Sequence, residues 1–140
     1  MKNTVLSSAS KAILFIGQTF PGRTHDYTML KAEFPADKAW FSGTDVLLDL
    51  GYQGVCKDYQ GDIRIPHKKP RKSKKNPDPQ LSPEQKQENQ ALAKLRVYIE
   101  HAICGVKRFR ILVTSYRNHK DTFEDDVLVV AAGLWNLWLI

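Results

Sequence analysis

Four side chains of this sequence have the types and spacing suited to metal-assisted phosphoryl chemistry. Arg96, Glu100 and Lys107 are separated by four and seven residues, so a helix through them places all three on one face. Asp49 ends a short apolar run and precedes Gly51. Mg²⁺ prefers oxygen ligands, usually one or two protein carboxylates, while arginine and lysine bind phosphate. One carboxylate at a strand end and one beside two cations therefore predict part of such a site.

Simpler explanations exist for the same residues. Arginine and glutamate four positions apart, as at Arg96 and Glu100, form ion pairs on many solvated helix faces. An aspartate just before a glycine turn, as at Asp49, often caps that turn. The helix also carries an apolar stripe at Leu92, Leu95, Ile99, Ala102, Ile103 and Val106. Taken alone, this stretch favours an ordinary amphipathic helix, so the assignment depends on the rest of the chain.

Length and charge limit the classes of protein that this chain can be. Its 140 residues make one domain or part of one, and 42% hydrophobic residues suffice for a packed core. The net charge of +6 favours an anionic partner, with nucleic acid ahead of an anionic membrane surface. Cys56 and Cys104 have no metal-ligand spacing and form no disulfide framework, which fits a reducing compartment.

No membrane or export segment is expected. The residues after Met1 alternate between small and polar types and lack the apolar centre of a signal peptide. The apolar run at 127–140 is too short to span a bilayer and is interrupted by Gly133 and Asn136. The sequence therefore predicts a soluble chain in the cytoplasm.

Short apolar runs in the first half of the chain predict four strands. They lie at 2–8, 11–17, 45–49 and 63–66. The second is a nearly continuous apolar run, and the third has apolar residues on both faces, so both are expected to be buried on both faces. A short helix at about 27–33 is predicted between them.

Local signals fix the ends of the short helix. Thr24 or Asp26 can cap its start, and Pro35 ends it. The residues expected to face inward are Met29, Leu30 and Phe34.

Two further helices are predicted in the second half. Ser82 before Pro83 is a helix start, and the helical pattern continues to about Phe109. A last helix is expected at 123–139, capped by Thr122 or by the residue before it, Asp121. Short strands alternating with helices indicate an α/β domain with a mixed sheet.

A run of like charges lies between the strands and the long helix. At about 64–80 it contains Arg64, Lys68, Lys69, Arg71, Lys72, Lys74 and Lys75. Because like charges at this density repel one another, the segment is predicted to be an exposed and mobile basic loop. A solvated tract or a localisation-like signal is one interpretation. Its place between Asp49 and Glu100 favours binding to the phosphate backbone of nucleic acid.

Three segments form an ordered series along the chain. Residues 22–26 read Gly-Arg-Thr-His-Asp, and residues 49–52 read Asp-Leu-Gly-Tyr. Arg96, Glu100 and Lys107 follow at intervals of four and seven. In this order they resemble the PGxxHD segment, the Asp-x-Gly-Tyr motif and the third-acid signature of DDE-type transposases of the insertion-sequence and Harbinger-like class. Each motif is weak alone, but three in the right order over nearly the whole chain are specific.

The resemblance implies an RNase H-like mixed sheet with flanking helices. It makes Asp49 and Glu100 the second and third metal-binding acids, and it assigns Arg96 and Lys107 to DNA phosphate near the scissile bond. Such enzymes cut DNA at transposon ends and join a 3′-hydroxyl to target DNA, using Mg²⁺ or Mn²⁺. The basic loop would contribute further contacts to the DNA backbone through Lys68, Lys69, Arg71, Lys72, Lys74 and Lys75.

The chain departs from the family pattern in two places. The family's first aspartate lies on a first, central strand, upstream of the segment with which this chain starts. Residues 1–140 are therefore expected to be the C-terminal part of the catalytic domain, with a sheet that is incomplete at its N-terminal side. Many relatives also have a tyrosine three residues before the arginine, where this chain has Ala93.

These departures shape the expected function. The main expectation is a transposase fragment that is inactive alone and works with DNA and with further copies or a complementing N-terminal half. The alternatives are a non-catalytic basic DNA-binding remnant and a divergent RNase H-like nuclease that uses Asp26 or Asp45. Unpaired strand edges predict marginal stability or aggregation of the isolated chain.

Overall fold

The computed structural model describes residues 1–118, 120 and 122–140. Strands and helices occur there in the predicted order, and the predicted α/β class is confirmed. In chain order, the elements are β1 (Val5–Ser7), β2 (Ile13–Ile16), α1 (Asp26–Glu33), β3 (Phe41–Leu47), α2 (Val55–Asp58), β4 (Gly61–Arg64), α3 (Pro83–Val106) and α4 (Phe123–Trp138). Short 3₁₀ turns at Leu50–Tyr52 and Arg110–Val113 complete this series. The one-turn helix α2 was not predicted.

The chain divides into two compact units, and each contains one small sheet. Unit 1 comprises Met1–Thr24 and Leu95–Ile140, and unit 2 comprises His25–Lys94. Strand β1 pairs with β2 in unit 1, and β3 pairs with β4 in unit 2. The described strands thus form two sheets of two, and the prediction of a single mixed sheet was wrong in this respect. Each described strand consequently has one strand neighbour.

In unit 1, β1 and β2 form an antiparallel pair. Val5 lies opposite Ile16, and the register shifts between Leu6 and Ser7. The prediction that β2 is buried on both faces was wrong, because Leu14 is 70% exposed while Ile13 is buried. An apolar run shows that both faces of a strand can be buried, but other elements of the fold must pack against both faces for this to happen.

The core of unit 1 forms where α3 and α4 pack on this sheet. Its buried members are Ile13, Ala102, Val106, Ala131, Ala132 and Trp135. Gly105 permits this packing, because a Cβ at that position would lie 2.2 Å from Cζ3 of Trp135. Next to this core is a cavity of about 560 Å³, lined by side chains that include Val5, Ile103 and Leu128.

In unit 2, β3 and β4 form a parallel pair joined by the segment that contains α2. Val46 lies opposite Ile63 in this register. The predicted third strand begins earlier than expected, at Phe41, and the additional residues 42–44 are exposed. Within the predicted range, Val46 and Leu47 are half-buried and Leu48 is buried. Gly61 is required at the start of β4, since its φ is 139° and a Cβ would lie 2.5 Å from the carbonyl oxygen of Phe41.

The short helix α1 confirms the predicted inward face and corrects the predicted cap. Met29, Leu30 and Phe34 are all buried. The N-cap is His25, whose Nδ1 accepts from the backbone N–H of Tyr27 at 3.3 Å, and not Thr24 or Asp26. The helix ends just before Pro35, as predicted.

The two long helices differ in how they start. At α3, Ser82 and Gln85 cap each other reciprocally: Ser82 Oγ accepts from the N–H of Gln85, and Gln85 Oε1 accepts from the N–H of Ser82. The helix ends at Val106, three residues before the predicted end. At α4, Thr122 has a φ of 68° and makes no side-chain cap, and Asp121 lies outside the described residues.

Candidate active site

Asp49 lies two residues beyond the end of β3, at the start of a 3₁₀ turn in unit 2. Its Oδ1 accepts from the backbone N–H of Leu50 at 2.6 Å. The carboxylate therefore serves as a turn cap, as the simpler explanation requires. The capping hydrogen bond holds the carboxylate just beyond the carboxyl end of β3. In open α/β sheets, ligands also bind beyond the carboxyl ends of the strands.

Asp26, from the His-Asp segment, packs directly on the turn that Asp49 caps. A Cβ on Gly51 would lie 2.6 Å from Oδ2 of Asp26, so any larger residue at this position would displace the carboxylate. The glycine of the Asp-x-Gly-Tyr motif thus lies in direct contact with the side chain of Asp26. Two of the three motifs meet within unit 2 through this contact.

Tyr52, the last residue of the same motif, faces several acids. Burial raises the pKa of its phenol, and the charges of Asp26, Glu33 and Asp49 raise the pKa further. Both carboxylate oxygens of Glu33 are buried and have no hydrogen-bond partner among the described residues. Acids from both ends of α1 and from the exit of β3 therefore place negative charge near the phenol of Tyr52.

Asp45, the other candidate acid of the sequence, is engaged elsewhere. Its Oδ2 lies 2.6 Å from Nη2 of Arg64, which belongs to the neighbouring strand β4. This ion pair bridges the β3–β4 sheet and is partly exposed. Of the two alternative acids, Asp26 is the one that lies beside the turn of Asp49.

Glu100 lies in unit 1, on the exposed face of α3. Its side chain is 63% exposed, and its Oε1 lies 3.7 Å from Nη2 of Arg96. The predicted neighbourhood of these two side chains is confirmed. Lys107 is exposed and follows the last residue of α3, where it lines the cavity of unit 1. Arg96 and Glu100 are thus neighbours on an accessible face of α3, and Lys107 is accessible just beyond the end of that helix.

The predicted acids belong to different units, and each can be described with its own neighbours. Carboxylate oxygens are the ligands that hard cations such as Mg²⁺ prefer. Among the described residues, however, no three His, Cys, Asp or Glu side chains converge to hold a metal ion. Asp26, Asp49 and Glu100 therefore suit a divalent cation in the kind of donor they offer, but the described residues do not complete a site.

The basic loop is exposed, as predicted. Residues 68–78 are exposed throughout, and Pro79 is fully buried. Within the loop, Ser73 and Asn76 exchange backbone hydrogen bonds of 3.0 and 3.1 Å, so Lys74 and Lys75 lie at the tip of a tight turn. The run of like charges did not predict this turn. Serine at position 73 and asparagine at position 76, both common turn residues, could have indicated it.

None of the described helices is long and apolar enough to span a membrane.

Comparisons with known proteins identify the family. A model described as "DDE superfamily endonuclease" matches residues 1–136. The chain is also 32% identical over 132 residues to a protein of Microchaete diplosiphon described as "Probable transposase for insertion sequence element IS702". That alignment covers 94% of this chain and 44% of the relative, so the chain spans less than half the relative's length. No solved structure matches. Because the family model covers nearly the whole chain, the chain belongs to the DDE superfamily of endonucleases.

Proposed function

We propose that this chain is the C-terminal part of a transposase catalytic domain that cleaves DNA at transposon ends and transfers the cut strand to target DNA. The observation that carries this proposal is the exposed carboxylate of Glu100 beside Arg96, within a family match that also contains Asp49. The transposase description of the relative from Microchaete diplosiphon supports the same reaction.

In this proposal Asp49 and Glu100 are the second and third acids of the site. They would hold a divalent cation, Mg²⁺ or Mn²⁺, which supplies activation of the attacking oxygen and stabilisation of the leaving oxygen. In the first step a water oxygen bonds to phosphorus, the P–O3′ bond breaks, and the 3′-oxygen takes up a proton. In the second step the released 3′-hydroxyl attacks a target phosphorus and displaces a 3′-oxygen there.

The cations of the chain would bind the DNA backbone. Arg96 offers a planar fork to a phosphate close to Glu100, and Lys107 adds a point charge at the end of α3. The exposed basic loop would bind phosphates at a distance from the scissile bond, without reading bases. Its contributing side chains are Lys68, Lys69, Arg71, Lys72, Lys74 and Lys75.

The family pattern places a first acid on a strand that precedes the segment matched here. We propose that residues 1–140 cleave DNA only together with that strand, carried by the same chain or by a complementing polypeptide. A second candidate is a nuclease that uses Asp26 as its remaining acid, which is favoured by the contact of Asp26 with the turn that Asp49 caps. The ion pair of Asp45 with Arg64 speaks against Asp45 in that role.

One experiment separates these possibilities. The chain is mixed with the N-terminal half of the Microchaete diplosiphon relative, with Mg²⁺ and with DNA that carries the ends of the insertion sequence. The measurement is nicking of the DNA strands. Glu100→Gln should abolish nicking, whereas Glu84→Gln, the same change on the first turn of α3, should leave it unchanged. Nicking that survives Glu100→Gln would refute the assignment of the third acid.

The remaining outcomes decide between the alternatives. Nicking by the 140-residue chain alone, abolished in Asp26→Asn, would favour the nuclease. Salt-sensitive DNA binding without nicking under all conditions would favour a non-catalytic DNA-binding remnant.

A further inference from the structure

His67, which precedes Lys68 in the basic loop, is held by helix α3. Its backbone N–H donates to Oδ1 of Asn89 at 2.7 Å, and its carbonyl oxygen accepts from Nδ2 of the same amide at 3.0 Å. A side-chain amide that meets both backbone groups of one residue imitates a strand partner. It fixes the position of the chain at that point, where a single bond would allow rotation.

The side chain of His67 is held as well. Its Nε2 lies 2.5 Å from Oε2 of Glu88, the residue before Asn89. Two successive residues of α3 therefore hold one residue of the loop, by its backbone and by its side chain. Asn89 is partly buried, so its two hydrogen bonds are shielded from competing water.

The other end of the loop is also fixed. Pro79 is fully buried, and the reciprocal cap of Ser82 and Gln85 follows at the start of α3. Between these two ends, the turn from Ser73 to Asn76 presents Lys74 and Lys75. The basic loop is therefore exposed, but both of its ends are fixed within unit 2. The charge pattern of the sequence did not predict this.

We propose that Asn89 is a positioning residue that holds the root of the basic loop so that its cations meet the phosphate backbone of DNA. This inference rests on the proposed function of the loop in DNA binding. A segment that is ordered before binding loses less conformational entropy when phosphates bind, so anchoring raises affinity without adding charge. Asn89 itself would not contact DNA.

The test uses the full 140-residue chain and a DNA duplex, with binding measured from about 50 to 200 mM salt. Asn89→Ala should weaken binding about tenfold, because the two hydrogen bonds that order the loop are removed. The slope of log K against log salt should not change, because every cation is still present. Lys74→Ala should instead lower the steepness of this slope by about 0.9 for each phosphate that is no longer neutralised. Gln90→Ala, an exposed neighbour on α3, is the matched control.

Limited digestion with trypsin reports on loop order without DNA. Cleavage within residues 68–75 should be several times faster in Asn89→Ala than in the wild type or in Gln90→Ala. Wild-type digestion and wild-type affinity in Asn89→Ala would overturn the inference. If Asn89→Ala does not fold, Glu88→Gln, which weakens only the contact to the imidazole, must show the same two effects on a smaller scale. If the wild type itself binds no DNA, the proposed function of the loop fails, whatever the digestion shows.

Discussion

At the scale of single residues, two helical glycines show how tightly unit 1 is packed. A Cβ on Gly105 would lie 2.2 Å from a ring atom of Trp135, whereas a Cβ on Gly133 would meet nothing within 4 Å. We expect Gly105→Ala to lower the free energy of unfolding by about 1–3 kcal/mol through overpacking. Chemical denaturation followed by tryptophan fluorescence measures this change. Gly133→Ala should instead raise stability by about 0.4–1 kcal/mol, and equal effects at both sites would contradict the packing argument.

The ion pair of Lys31 with Asp58 predicts a dependence of stability on pH. Lys31 Nζ lies 2.5 Å from Oδ2 of Asp58, and the hydroxyl of Tyr27 donates to the same oxygen. The hydrogen bond from Lys31, and then that from Tyr27, lowers the pKa of Asp58 below its usual value of 3.8. A carboxyl group whose pKa is lowered by folding stabilises the protein above its unfolded pKa, and this contribution disappears as the pH falls through the folded pKa.

Asp58→Asn should therefore lower the melting temperature at neutral pH, and the difference from the wild type should shrink as the pH falls below 3.8. Both groups are largely exposed, so the effect should be small and should weaken with added salt. Melting curves across this pH range provide the measurement. Asp37→Asn, a change at an exposed loop acid, should show no such trend, and a difference independent of pH at Asp58 would exclude the ion pair as its cause.

Single residues also show how far the sequence could predict the site. Asp49 and Glu100 were predicted from their types and spacing, and the neighbourhood of Arg96 and Glu100 follows from helical periodicity alone. The contact of Asp26 with Gly51 was not predicted, because it depends on how α1 packs against a turn distant in sequence. The hydrogen bonds between His67 and Asn89 were not predicted either, because no local sequence pattern indicates them.

At the scale of elements, α4 protects an edge of the small sheet in unit 1. Asn136 Oδ1 accepts from the N–H of Ile13 at 2.8 Å, and its Nδ2 donates to the carbonyl oxygen of Ile13 at 2.8 Å. Trp135 Nε1 donates to the carbonyl oxygen of Lys11 at 2.9 Å. Unpaired strand edges attract other chains, so these side chains stabilise β2 and also block association along it.

Replacing Asn136 by leucine, which has a similar size, should remove both bonds to Ile13. We expect a decrease of about 2 kcal/mol in the free energy of unfolding, since each neutral hydrogen bond contributes about 1 kcal/mol. Light scattering should also show more aggregation, because the edge of β2 is then open. Leu137→Asn, at an exposed position of the same helix, should change stability by no more than about 0.5 kcal/mol. An unchanged stability of Asn136→Leu would show that the edge bonds contribute nothing.

The elements themselves were predicted better than their surroundings. Periodicity and caps gave the order of strands and helices, and the Ser82 cap with Pro83 gave the start of α3 to the residue. The burial of β2 was not predicted correctly, since an apolar run does not show whether a second layer covers the strand. Leu14 is the clearest case, an apolar strand residue that remains 70% exposed.

At the scale of the whole molecule, unit 1 leaves apolar surface in contact with water. The half-open pocket of about 560 Å³ beside its core is lined by apolar side chains that include Val5, Ile103 and Leu128. The outer side of α4 is apolar and exposed as well, at Val129, Val130, Leu134, Leu137 and Trp138. Apolar patches of this kind usually mark an interface. Both features support the proposal that the chain works together with a further polypeptide.

This proposal predicts how the chain behaves alone and with a partner. Alone, the 140-residue chain should bind a hydrophobic dye and unfold over a broad range, because part of its apolar surface stays in contact with water. Co-expression with a polypeptide that supplies the preceding strand should raise the melting temperature, sharpen the transition and displace the dye, since a partner that binds only the folded state stabilises it. Leu137→Asp, which places a charge on the outer face of α4, tests where the partner binds. This variant should bind less dye as an isolated chain. The partner should fail to stabilise it only if the partner covers that face. A soluble monomer that unfolds cooperatively without binding the dye would contradict the need for a partner.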